Sequence, residues 1–120
     1  MIELTLDVLR SRREADLLGS ERAIRLRPRT YLLLRRMLKE INTGPVDVAD
    51  YHRTATRLGD LLREISAGSD RTIFHYFTAS IDPCINGSVR WFRLTCLDLQ
   101  SHIQDLERWR AERAGLRVVK

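Results

Sequence analysis

Lysine is nearly missing from this chain: two of its 21 basic residues are lysine and the other 19 are arginine. Histidine and cysteine are almost as scarce, at three and two residues. His52, His75 and His102 are scattered, and neither Cys84 nor Cys96 has a second cysteine or a histidine at metal-ligand spacing, so no metal site is expected. Two cysteines are also too few for a secreted disulfide scaffold. The opening segment carries Glu3 and Asp7 among its apolar residues, unlike a signal peptide, and a cytoplasmic protein is expected. The longest apolar run is Tyr31 to Leu34, far short of the roughly 20 residues of a membrane helix, so no membrane association is expected. Gly-rich phosphate loops, nucleophile elbows and paired carboxylates are missing as well, which argues against an enzyme and against a cofactor.

What is present fits one domain spanning residues 1–120. The chain has 120 residues and 43% hydrophobic composition, enough to bury a core without metal or disulfide. Its net charge of +5 is unevenly spread. Residues 1–29 hold seven arginines against five acids, and residues 108–120 hold five basic residues against Glu112. Between 45 and 85, four arginines face six acids, so the ends are basic and the middle acidic. Arginine suits phosphate and carboxylate recognition, although the same bias is what a GC-rich genome produces by drift.

Along the chain, Ile2, Leu4, Leu6 and Val8 alternate with Glu3, Thr5 and Asp7, the pattern of a half-buried strand. Leu17-Leu18-Gly19-Ser20 reads as a turn, and Ala23 to Leu26 as a second strand broken by Pro28. A rival reading makes residues 6–18 a helix on Leu6, Leu9 and Leu17. From Thr30, the apolar residues Leu34, Met37, Leu38 and Ile41 recur at helical spacing. Asn42 to Pro45 is a stop, and Asp47 can cap a second helix carrying Val48, Tyr51, Ala55, Leu58, Leu62 and Ile65 through to Gly68. Ser69 or Asp70 caps a third helix, with Phe77 and Ile81 on its apolar face, ending near Pro83. Then Val89, Phe92, Cys96, Leu99, Ile103 and Leu106 continue the three-four spacing, with Ser88 as a cap and Gly115 as a stop. Read locally, Val89 to Leu94 also alternates, so the segment is either one long helix or a strand followed by a helix over 97–114.

Leu4-Thr-Leu-Asp7, Arg12-Arg13, Gly19, Ile24-Arg-Leu26, Pro28 and Tyr31 to Leu34 fall in an order and at intervals that resemble the winged-helix effector domains of OmpR/PhoB-type response regulators. In that comparison Gly44 to Val48 resembles the turn into the family's second helix, and Arg71-Thr-Ile73 the start of its recognition helix. The resemblance implies a mainly helical α+β fold: a β-ribbon over 1–27, a helical core over 30–94 that closes on a wing strand at 89–94, and an added C-terminal helix at 97–114. The alternative is an all-α helical bundle.

Two functions follow from these readings. The winged-helix resemblance implies a DNA-binding transcription regulator, with Arg71, His75, Arg90 and Arg93 near double-stranded DNA and Arg108, Arg110 and Arg113 on the appended helix. The segment from Arg71 to Asp82 carries few cations and ends in an acid, which opposes the phosphate neutralisation that DNA affinity rests on. The alternative is a protein-protein interaction module that uses its apolar stripes for a homodimer or a larger protein partner, with Trp91, Leu99, Leu106 and Trp109 as contact residues. Phe74, Phe77 and Phe92 are read as a core corner, and Cys96 as a small core residue.

Overall fold

A computed structural model describes residues 2–44, 50–68, 71–82 and 88–115, with side chains from residue 12 onward. These residues form five helices: α1 (Ile2–Leu26), α2 (Pro28–Thr43), α3 (Tyr51–Ser66), α4 (Ile73–Ile81) and α5 (Val89–Arg113). No strand occurs among them. That overturns the β-ribbon, the wing and with them the winged-helix resemblance; the all-α bundle is the fold.

The physical reason lies in the first 26 residues. Short alternation fits a strand locally, but Leu17, Ser20, Ala23 and Ile24 are all buried, and their spacings of three, three and one belong to one helical face. Pro28 does not interrupt a strand. It occupies the first position of α2, where a missing N–H costs no intrahelical bond and the fixed φ suits the helix. The corner is closed by the Arg27 N–H, which donates to the Ala23 and Ile24 carbonyls at 3.1 and 3.2 Å.

The other helix ends follow local chemistry. Thr72 caps α4, its hydroxyl accepting from the His75 N–H at 2.9 Å. Ser88 accepts from the Trp91 N–H at 3.3 Å and starts α5 where its sequence places it. From there the helix runs unbroken to Arg113, its buried stripe reaching Leu106, and Gly115 follows with φ 74, a left-handed conformation that glycine adopts without strain. The expected caps at Asp47 and at Ser69 or Asp70, together with Val48, Pro83 and Cys84, lie outside the described residues.

Helix α3 packs on α2 and α4, α5 crosses the same two helices, and α1 touches all four others. Thr30 on α2 donates to Glu64 near the end of α3 at 2.8 Å, so α2 and α3 run antiparallel. Helices α2 and α5 are antiparallel too: Tyr31 meets Glu107 at one end, and Asn42 meets the Cys96 carbonyl and Gln100 at the other, at 3.3 and 2.8 Å. Leu34, Leu58, Leu62, Phe74, Leu99 and Leu106 are sealed at the centre. Burying each of these stabilises the fold by about 1.5–3 kcal/mol relative to exposure.

One seam is built from polar residues. A Cβ on Gly19 would lie 1.9 Å from the Arg71 carbonyl oxygen, so only glycine lets α1 approach the start of α4 this closely. Beside it, the buried Ser20 hydroxyl accepts from the Ile73 N–H at 2.8 Å and donates to the Asp16 carbonyl at 2.7 Å. Ser66 and Thr72 share a hydrogen bond of 2.9 Å. Gly19-Ser20 is therefore a docking point inside a helix and not a turn.

Candidate functional site

Helix α5 carries most of the residues that the sequence singles out, and its phase decides what they can do. Phe92, Cys96, Leu99, Ile103 and Leu106 form its buried side. Leu99 and Leu106 are 0% exposed, so the chain's own helices already cover these two proposed partner contacts. The stripe on α3 is consumed in the same way, with Leu58, Leu62 and Ile65 all fully buried.

The opposite side of α5 carries Arg90, Leu94, Leu97, Ser101, Gln104 and Arg108, all exposed. These fall at spacings of three and four, one line along a helix. Leu94 and Leu97 are each 51% exposed, and Trp91, one turn before Leu94, is 49% exposed. Singly, an exposed leucine says little, but three large apolar side chains within two turns are a contiguous patch. Arg90 and Arg93 flank it, exposed and without an ion pair among the described residues.

The remaining arginines lie elsewhere. Fifteen residues separate Arg93 from Arg108, about 22 Å of helix. Arg108 pairs with Asp105 at 3.7 Å, and Asp105 also holds Arg13 of α1 at 3.5 Å. Arg113 stacks over the half-buried Trp109, 4.8 Å from the ring centre, and pairs with Glu14 at 3.7 Å. Arg110 lines an open cavity with Arg25, Tyr31, Arg35 and Glu107. Most charge there is matched: Arg25 pairs with Glu21 at 2.7 Å and Arg35 with Glu107 at 2.9 Å. Tyr31 donates to the same Glu107, and burial first, then this carboxylate, raises its phenol well above the ordinary value. Arg71 precedes α4 beside Gly19, and His75 is exposed on α4. Of the seven residues proposed for DNA, Arg90 and Arg93 are thus at least about 22 Å along α5 from Arg108, while Arg71 and His75 lie just before and within α4.

Cys96 is buried and free, and burial pushes its thiol up to about 12. Among the described residues, no group of three or more His, Cys, Asp or Glu could hold a metal ion, and no helix is long and apolar enough to cross a membrane. The Leu94–Leu97 pair escapes a search for stripes because it lies outside the stripe. Its signal is the phase difference from Leu99 and Ile103, readable once residues 89–113 are taken as one helix. No known protein family, curated protein or solved structure matches the chain.

Proposed function

We propose that the protein is a non-enzymatic interaction module whose docking surface is the outward face of α5 around Trp91, Leu94 and Leu97. The observation that carries the reading is this apolar patch beside two arginines that no described acid neutralises. The flanking charge and the chain's net charge of +5 select an acidic amphipathic helix of a protein partner, its leucines on the patch and its carboxylates toward Arg90 and Arg93. Self-association through α5 is disfavoured by the same charge, since two copies would bring their arginines together.

The test uses an acidic helical peptide of about 18 residues, with leucines on one face and glutamates elsewhere, titrated into a Trp109→Phe variant so that Trp91 alone reports. Docking shifts Trp91 emission to shorter wavelength. Saturable binding that weakens at least tenfold in Leu94→Asp/Leu97→Asp, and weakens again with added salt, supports the reading. Binding that ignores the double substitution, no binding at millimolar peptide, or a dimer in light scattering that the substitution dissolves would each overturn it.

A further inference from the structure

A second concave surface, sharing no residue with the α5 patch, lies where α1, α4 and α5 meet. It encloses about 420 Å³ and is lined by Arg12, Arg13, Asp16, Leu17, Ile73, Tyr76, Phe77 and His102. Leu17, Ile73 and Phe77 are buried residues whose outer edges make an apolar floor. The His102 ring packs edge-on to Phe77, with centroids 5.5 Å apart, and closes one side. Tyr76, 58% exposed, adds a second aromatic wall, its hydroxyl hydrogen-bonded to Asp16 at 3.2 Å.

The charges on the rim are unequally engaged. Asp16 is occupied by Tyr76, and Arg13 reaches Asp105 at 3.5 Å. Arg12 is exposed and makes no hydrogen bond or ion pair among the described residues. An apolar floor, an aromatic wall and one guanidinium without a partner among the described residues, within roughly the 300–1,000 Å³ of small-molecule sites, make a recognisable combination. We propose that this cavity binds a small amphipathic carboxylate, its ring or short chain on Leu17, Ile73 and Phe77 and its anionic head on Arg12.

The charge complementarity excludes the reverse arrangement. A cationic amphiphile would meet both Arg12 and Arg13 on the lining, which outnumber the one carboxylate there, Asp16. A neutral ligand of the same shape would fill the floor but leave the head position without its charge-assisted hydrogen bonds, which are roughly twice as strong as neutral ones. A carboxylate also fits the planar fork of arginine in two-point contact.

The probe is 1-naphthoate, titrated by calorimetry and by protein NMR against 1-naphthalenemethanol and 1-naphthylmethylamine, which keep the ring and change the head. Naphthoate is expected to bind at least tenfold more tightly than either. Arg12→Glu, at an exposed position that leaves the fold intact by circular dichroism, should weaken it at least tenfold, and Tyr76→Ala should weaken all three probes by removing the wall. Arg93→Glu, on the other face, should change nothing. Equal binding of the alcohol, indifference to Arg12→Glu, or no naphthoate binding at millimolar concentration would overturn the assignment.

Discussion

From Val89 to Leu97, α5 turns Trp91, Leu94 and Leu97 to water, and neither of its arginines is paired among the described residues; from Asp98 onward, Asp98, Asp105, Glu107, Arg108 and Arg113 all have partners. Both halves bury the same stripe, so the difference is not one of fold. It lies in what sits beside the outer surface. The C-terminal half has α1 and α2 against its flanks, and Arg13, Glu14 and Arg35 reach across to it. Exposed pairs of this kind contribute about 0–1 kcal/mol each, too little to hold a bundle together. Their effect is to use up charge that would otherwise be offered to another molecule. A long helix can thus be closed at one end and open at the other without any change in its core.

That comparison breaks most completely if the two halves do not share one core. Phe92→Ala and Leu106→Ala each remove a buried side chain, one from each half. Each should cost about 2–5 kcal/mol, the spread reflecting how far the cavity collapses. Urea unfolding followed by circular dichroism measures it. A loss confined to one of them would mean that the halves are stabilised separately.

Glu107 tests the closed half alone. It accepts from the Tyr31 hydroxyl and pairs with Arg35, so Glu107→Gln keeps the shape and removes the charge from both. A loss of about 1–2 kcal/mol is expected, since hydrogen bonds to charged groups contribute about that much. The same substitution should lower the Tyr31 phenol toward its ordinary value, read by ultraviolet titration. A stability unchanged within error would show that this contact is ornamental and that the closed half is held by its stripe alone.

Alkaline pH probes the stripe at the boundary between the halves. The Cys96 thiol ionises at about 12 when folded, against an ordinary value of 9.0. Below pH 9 both states hold the proton and the group contributes no pH dependence. Above it the unfolded chain loses the proton first, so stability falls as pH rises from about 9 to about 12. By pH 10 the loss should be on the order of 1 kcal/mol from this group, and Cys96→Ala should flatten that part of the urea-midpoint profile. Tyr31, also raised, steepens the profile at higher pH, and Glu107→Gln separates the two.

The stripes were the legible part of this molecule. Leu58, Leu62 and Ile65 repeat over enough turns to mark a helix and its buried side; Phe92 through Leu106 do the same only once the local alternation from Val89 to Leu94 is set aside, and Ser88 and Gly115 then mark the ends of α5. The first helix was legible only as the rival reading over residues 6–18, and for a physical reason. Its docking face is completed by Ser20, a polar residue whose partner, the Ile73 N–H, is 53 positions away, and by Gly19, whose missing side chain lets a backbone carbonyl approach. Neither residue type signals burial on its own, so the four alternating residues from Ile2 to Val8 outweighed them. The arginines were legible only in part for a related reason: their number is plain in the chain, but whether each is matched depends on which helix lies opposite.

The smallest expected effect is the one that bears most on the open half. Leu94→Asp/Leu97→Asp replaces two leucines that are each 51% exposed, and surface changes of this kind stay within about 0.5 kcal/mol. Unfolding midpoints of this variant and the parent should therefore coincide. A substantial loss of stability would mean that the leucines are covered by part of the chain and that the patch belongs to the fold. Coincident midpoints would mean that two large apolar side chains remain in water without stabilising the protein that carries them, as the proposed docking surface requires.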